Sequence, residues 1–161
     1  RARVAGAGRP GQLFHPARDV PDLIDALAHM YGERSPRIAF EDLTDGPLPL
    51  DREDMLELLG NLLDNACKWG REAVSVRVAP HGGGLELAVE DDGPGVSDDL
   101  VDQLTRRGVR ADESVSGHGL GLAIVRDVVK LYGGSLGFAR SETLGGLAVT
   151  VELPREQPPR P

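Results

Sequence analysis

The sequence predicts an α+β domain, a two-layer sandwich in which helices cover one face of a mixed sheet. The order of the elements indicates this class, because helical patterns come first and mostly hairpin-linked strands follow. The chain has 161 residues, about the size of one domain. Its hydrophobic content of 40% is enough for one core.

The charge and cysteine content exclude several classes of function. The formal net charge of −8 argues against binding to nucleic acid or to an acidic membrane surface, since both need a basic surface. One cysteine excludes an internal disulfide and a cysteine-based zinc site. No signal peptide and no apolar run of membrane-spanning length is visible. Because the sequence opens without Met, we expect a piece of a longer protein, whose membrane anchor could lie elsewhere.

The first third of the chain reads as a linker, a helix and a strand. Residues 1–18, rich in Arg, Gly and Ala, are expected to be a linker or the frayed end of a preceding element, ahead of a domain at 19–154. The apolar positions in "VPDLIDALAHMY" predict a helix over 20–31. "PRIAFEDL" predicts a short strand, and "TDGPLPLD" a turn that ends on Asp51, a good N-cap.

The helix predicted over residues 52–69 has an unusual polar face. Its apolar face contains Met55, Leu59, Leu62, Leu63 and Ala66, and its polar face Glu57, Asn61, Asp64, Asn65 and Lys68. A plain solvated face is the ordinary interpretation of such a pattern. Asparagine is a poor helix former, however, and its amide oxygen is a hard ligand that suits Mg²⁺ or its waters. Cys67 beside this face is interpreted as a small core residue.

Strands, a long loop and a last helix complete the domain. "AVSVRVAP" and "LELAVEDD" predict strands joined by the hairpin "HGGG". About thirty residues of turn, short helix and loop follow, and a loop of that length is typically functional or mobile. A helix is predicted over 120–131, then strands "SLGFAR" and "LAVTVELP" around a turn at 144–146. Residues 155–161 are expected to be a disordered tail.

Two glycine-containing segments carry possible chemistry. "DDGPG" follows a strand and is either an ordinary tight turn or a carboxylate beside a backbone that a flat ring can approach. "SGHGLG" precedes the last helix and is either a flexible loop or an anion site, since N–H groups ahead of a helix attract phosphate. Its spacing matches neither the dinucleotide fingerprint nor a P-loop.

Together these segments resemble the ATP-binding catalytic domain of sensor histidine kinases, which shares the Bergerat fold with gyrase, Hsp90 and MutL ATPases. "NLLDNACKWG" is similar to the N box, "DDGPG" to the DxGxG box and "GHGLGLAIV" to the second glycine box. The resemblance covers residues 20–154 and is nearest to PhoQ-type kinases. It implies a protein-histidine kinase that uses ATP and Mg²⁺.

The resemblance assigns a role to individual residues. Asn61 and Asn65 resemble the Mg²⁺-binding asparagines and, with Lys68, the catalytic group. Asp91 resembles the acceptor for the adenine amino group. The other residues that the resemblance implies in nucleotide binding are Trp69, Gly93, Gly95, Arg110, Gly117, Gly119, Leu120, Gly121 and Leu122. His118 replaces a family glutamine, and both water-mediated Mg²⁺ binding and a plain loop position stay open for it.

The resemblance also implies partners and a location. The family's ATPase branch has glutamate at the position of Asn61, and an amide cannot take a proton from water, which implies slow hydrolysis and transfer to a histidine. Nothing in the sequence resembles that histidine's box, so the acceptor is expected on an upstream dimerisation domain, with a response regulator as the next partner. We expect a homodimeric, membrane-anchored sensor with this domain in the cytoplasm, and a monomer for this chain alone. An ATPase clamp, a binding-only module and an anti-sigma-type serine kinase are the alternatives.

Overall fold

The computed structural model describes residues 12–106 and 119–155, and it confirms the α+β two-layer class. Five strands form one mixed sheet in the order β2-β4-β5-β7-β6, and β1 and β3 form a separate two-stranded sheet. The strands are β1 (Leu13–Phe14), β2 (Arg37–Asp42), β3 (Leu48–Asp51), β4 (Ala73–His81), β5 (Gly84–Asp91), β6 (Ser135–Arg140) and β7 (Leu147–Leu153). The helices are α1 (Pro16–Tyr31), α2 (Arg52–Trp69), α3 (Asp98–Arg106) and α4 (Gly119–Leu131).

The sheet is mixed because one of its neighbouring pairs is parallel. Strands β2 and β4 run parallel, whereas the β4–β5, β5–β7 and β6–β7 pairs are antiparallel. The predicted "HGGG" hairpin joins β4 to β5. Gly82 and Gly83 have φ of +55° and +81°, which side chains disfavour, so glycine is required at this tight turn.

Alternation along the central strands places the core between the sheet and the helices. Leu85, Leu87 and Val89 of β5 are buried, and the residues between them point to the opposite face. The apolar face of α2 packs against this inner face, and all five of its predicted apolar residues are buried. The inner side chains of α4, among them Leu122 and Val125, complete the core. Helix α2 therefore lies on β5, and α4 packs against α2 and β6.

The bounds of α2 agree with the prediction. Asp51 is the N-cap, and its Oδ1 accepts a hydrogen bond from the backbone N–H of Asp54 at 2.9 Å. Cys67 is buried, and burial, followed by the charge of Asp64, raises the pKa of its thiol to about 11. The thiol is therefore protonated at neutral pH, which agrees with a core role.

Three predictions near the amino end need correction. The predicted linker over 1–18 overlaps the fold, because β1 lies at Leu13–Phe14 and α1 begins at Pro16 rather than at residue 20. Proline suits a first helical turn, and the buried carboxylate of Asp19 accepts the backbone N–H of His15 at 2.8 Å. The predicted turn before Asp51 contains β3, which pairs with β1. Residues 1–11 and 156–161 lie outside the described residues, so neither the linker prediction over 1–11 nor the tail prediction is tested.

Candidate functional site

A pocket opens between α2, α4 and the end of β5. The pocket is narrow and partly open to solvent. The walls are formed by Leu62, Asn65, Ala66, Trp69, Val89, Asp91, Leu122, Leu147 and Val149. Most of these side chains are apolar, with one carboxylate and one amide among them. Such a lining suits a flat, mostly apolar ligand with a polar edge.

Asp91 is the buried acid of this pocket, with 4% of its surface exposed. Burial raises the pKa of its carboxyl, and the charge of Asp92 adds to this, whereas hydrogen bonds from the backbone N–H groups of Gly93 and Leu147 oppose it. These N–H groups donate to Oδ1, at 2.8 and 3.3 Å respectively. Both bonds end on Oδ1. Among the described residues no donor bonds to Oδ2, so Oδ2 is available to accept a hydrogen bond from a ligand's amino group.

Asp92, the second acid of the turn, has a different role. Its carboxylate accepts hydrogen bonds from the backbone N–H groups of Arg71, at 2.7 Å, and Glu72, at 3.1 and 3.2 Å. Although burial acts in the raising direction, these bonds lower the pKa of Asp92. Asp92 therefore holds the segment before β4, and only Asp91 lines the pocket.

Two glycines allow the backbone to pack closely around Asp91. A Cβ atom on Gly93 would lie 2.3 Å from the carbonyl oxygen of Trp69, and one on Gly146 would lie 2.2 Å from Asp91 Oδ1. Gly95 lies further along the turn with φ of +74°. The glycine motif predicts Gly93 and Gly95 at the ligand but does not indicate Gly146. The glycine doublet at 145–146 is the one local signal for it, and by itself that doublet predicts only a turn.

The asparagine face of α2 lies under the first turns of α4. Asn61 Nδ2 donates to the carbonyl oxygen of Glu57 at 2.7 Å, which fixes the orientation of its amide. A Cβ atom built on Gly121 would lie 3.5 Å from Asn61 Oδ1 and 3.6 Å from both amide atoms of Asn65. The two amides therefore face the same space beside Gly121. Both are half-buried, so this is not a plain solvated face.

The chemistry of these donors fits a divalent cation. Two neutral amide oxygens at one place are hard ligands, and the absent side chain on Gly121 leaves a space of about one methyl group open beside them. The amino terminus of α4, beside the same space, favours negative charge.

Tyr31 of α1 fixes the segment between the two asparagines. Its hydroxyl donates to Asp64 Oδ1 at 2.5 Å and lies 3.3 Å from the Asp64 carbonyl oxygen. Burial, followed by this hydrogen bond, raises the pKa of Tyr31. The bond links the end of α1 to α2 at the level of the asparagines, and nothing in the sequence pattern indicated it.

The structure describes the remaining predicted site residues only in part. Lys68 is exposed in the last turn of α2, and Trp69 is half-buried in the pocket wall. Gly119 and Leu120 belong to the first turn of α4. Arg110, Gly117 and His118 lie outside the described residues, so their predicted contacts with phosphate or Mg²⁺ are not tested.

Comparisons with known proteins agree on one family. The family of histidine kinase-, DNA gyrase B- and HSP90-like ATPases matches residues 50–157. The sensor protein kinase CarS of Pseudomonas aeruginosa is 46% identical over 157 residues, which are 98% of this chain and 35% of CarS. The virulence sensor histidine kinase PhoQ of Salmonella typhimurium is 33% identical over 160 residues, 98% of this chain and 33% of that protein. The chain thus spans about a third of the length of these relatives.

Solved structures show the same similarity. The mycobacterial sensor histidine kinase MprB is 30% identical with a TM-score of 0.63, over 86% of this chain and 96% of that one. The catalytic domain of the histidine kinase ThkA has a TM-score of 0.73 at 18% identity, over 90% of this chain and 97% of that one, which supports the fold alone.

A membrane-spanning helix needs sufficient length and apolar character. Among the helices in residues 12–106 and 119–155, none meets both requirements.

Proposed function

Since the chain belongs to the histidine kinase-, DNA gyrase B- and HSP90-like ATPases, we propose that it is the ATP-binding catalytic domain of a two-component sensor histidine kinase. One observation carries the proposal: a single pocket joins the buried acceptor Asp91 to Asn65, and Asn65 shares the space beside Gly121 with Asn61. A nucleotide needs an acceptor for its base and ligands for a phosphate-bound cation, and this site offers both at its two ends.

The adenine would lie between the apolar walls of the pocket. Its amino group would donate to Asp91 Oδ2, because Oδ1 already accepts two backbone hydrogen bonds. Trp69 and Leu122 would cover the ring. Because Asp91 is buried, this hydrogen bond would make the pocket selective for a base that carries an amino group. A base without this donor would leave the acceptor desolvated and unpaired.

The triphosphate would lie along α2 toward the amino terminus of α4. Asn65 and Asn61 would hold Mg²⁺, which neutralises phosphate charge when it is bound. Lys68, exposed in the last turn of α2, would supply a cation for the phosphates. Gly117, Gly119, Leu120 and Gly121 are proposed to surround the phosphates, with Arg110 and His118 as further contacts.

The amide at position 61 favours transfer over hydrolysis. A carboxylate there could take a proton from an attacking water, whereas an amide has no basic oxygen of that strength. We infer that the γ-phosphate passes to a histidine on a dimerisation domain and then to a response regulator. The domain would work in the cytoplasm as part of a homodimeric, membrane-anchored sensor.

Calorimetric titration with ATP tests the proposal. We expect Mg²⁺-dependent binding by the 161-residue chain, and a loss of affinity of at least tenfold in Asn65→Ala. Lys130→Ala, in the exposed last turn of α4, is the control and should bind as the wild type does. Unchanged Mg²⁺-dependent affinity in Asn65→Ala would overturn the assignment of the asparagine face.

Labelled ATP separates kinase from ATPase activity. With [γ-³²P]ATP, the chain alone should show binding, slow release of phosphate and little label on itself. Addition of a dimerisation domain that contains the acceptor histidine should give labelled acceptor. Fast phosphate release by the chain alone would instead assign it to the ATPase branch of the family, and strong self-labelling would contradict the separate acceptor.

A further inference from the structure

A histidine and two glutamates meet on the face of the sheet away from the helices. His81 ends β4, Glu86 lies on β5 and Glu152 on β7, and one ligand atom from each lies within 4.8 Å of the other two. His81 Nε2 is 3.6 Å from Glu152 Oε1, and His81 Nδ1 is 3.8 Å from Glu86 Oε2. In the described parts of the chain this is the one cluster of three such groups.

The backbone fixes the positions of all three residues. Glu86 and Glu152 are direct partners in the β5–β7 register, and His81 pairs with Gly84 at the end of the β4–β5 hairpin. The flanking residues Leu85 and Leu87 are buried in the core, so Glu86 points to the opposite face. The cluster is therefore built on three adjacent strands, and the sheet separates it from the candidate nucleotide pocket.

The charges of the cluster are only partly balanced. Glu86 and Glu152 carry like charges directly across two strands, an arrangement that is unfavourable without a cation between them. Arg77 lies 3.7 Å from Glu86 Oε1, but its Nε donates to Glu41 at 2.9 Å. Among the described residues, His81 is the only basic side chain within ion-pair distance of Glu152.

The separation of His81 and Glu152 suits a shared metal better than a direct hydrogen bond. At 3.6 Å the Nε2 atom of His81 is too far from Glu152 Oε1 for a good hydrogen bond, whereas two ligands of one tetrahedral zinc, each about 2.1 Å from the ion, lie about 3.4 Å apart. The 3.8 Å distance to Glu86 is measured from the other ring nitrogen, so Glu86 joins the site through the wider 4.8 Å limit on the three ligand atoms. His81 and Glu152 are about half exposed, so small side-chain rotations could close this difference.

We propose that His81, Glu86 and Glu152 bind one Zn²⁺ ion on the outer face of the sheet. A neutral imidazole supplies one nitrogen, each carboxylate supplies one oxygen, and water occupies the fourth, solvent-facing position. Mixed imidazole and carboxylate ligands favour zinc over Mg²⁺, which prefers oxygen ligands alone. Bound zinc would tie the β4–β5 hairpin to β7.

Titration of the 161-residue chain with Zn²⁺, monitored by calorimetry in chelator-free buffer, tests this site. We expect wild type to bind one more equivalent of Zn²⁺ than His81→Ala and one more than Glu152→Gln. His29→Ala is the matched control, because it removes an exposed histidine from α1. It should keep this equivalent, and Mg²⁺ should not replace Zn²⁺ there.

Thermal unfolding gives a second readout. Zinc should raise the midpoint of wild type and of His29→Ala, and this rise should be smaller in His81→Ala. Circular dichroism before titration verifies that each variant is folded. The proposal is overturned if wild type and His81→Ala bind equal amounts of zinc, or if the equivalent is lost in His29→Ala alone.

Discussion

Replacement of Gly121 by alanine should separate stability from nucleotide binding. The added methyl group would lie 3.5 Å from Asn61 Oδ1 and 3.6 Å from both amide atoms of Asn65, which is ordinary van der Waals contact. Gly121 does not have positive φ, so alanine can adopt its backbone conformation. Alanine in place of glycine stabilises a helix by about 0.5–1 kcal/mol, and somewhat less in a first turn. The variant should therefore unfold no more easily than the wild type.

The same methyl group would occupy the space that both asparagine amides face. A cation or phosphate oxygen there could no longer approach the amides closely. Loss of one hydrogen bond to a charged group costs about 1.5–3 kcal/mol, which corresponds to about 10- to 150-fold weaker binding of ATP with Mg²⁺. Urea denaturation would measure the stability, and calorimetric titration would measure the affinity.

Gly60→Ala provides the control for this experiment. Gly60 also lies in a helix, but its added methyl group would contact only Leu23 of α1, at 3.8 Å. It should show the same small gain in stability with unchanged affinity. If Gly121→Ala bound ATP as tightly as Gly60→Ala, the asparagines would not face the nucleotide as we infer. A marked loss of stability in Gly121→Ala would refute the packing argument.

Three further substitutions test other parts of the structure. Asp19→Asn should lower the free energy of unfolding by about 1.5–3 kcal/mol at neutral pH. The folded state lowers the pKa of Asp19, so this difference in stability should persist while the pH is above 3.8, the ordinary pKa of the group, and shrink as the pH falls further. Urea denaturation at a series of pH values measures it. Tyr132→Phe removes the hydroxyl that donates to buried Asp54 at 2.7 Å, and should cost about 1–3 kcal/mol while ATP affinity stays unchanged in calorimetry. Gly146→Ala would place a methyl group 2.2 Å from Asp91 Oδ1, so both stability and ATP affinity should fall; a variant that binds normally would contradict that contact.

The carboxylates at the end of β5 show how far local patterns reach. Period-2 alternation places Asp91 on the same face as Leu87 and Val89, and the structure does bury it. The alternation could not reveal that Asp92 accepts from the backbone N–H groups of Arg71 and Glu72, since these lie about twenty residues earlier in the chain. It also could not reveal Gly146, whose contact with Asp91 arises from the pairing of β5 with β7.

At the amino end, local sequence patterns do not predict the structure. Residues 13–18 have no periodic pattern, and their structure depends on partners distant in sequence. Strand β1 exists because it pairs with β3, and the first turn of α1 is held by Asp19, which also accepts from Arg52 Nε at 3.0 Å. A two-residue strand has too little local preference to be predicted without its partner.

The sequence by itself determined the class of the fold, the bounds of α2 and the motifs on which the family assignment rests, because helical periodicity, strand alternation and glycine spacing are local properties of the chain. Only the tertiary structure decided that Asn61 and Asn65 face Gly121, that Asp91 Oδ1 accepts from the backbone N–H groups of Gly93 and Leu147, and that His81, Glu86 and Glu152 meet on the outer face. Each of these depends on contacts between residues distant in sequence, which are fixed when strands pair and helices pack on the sheet.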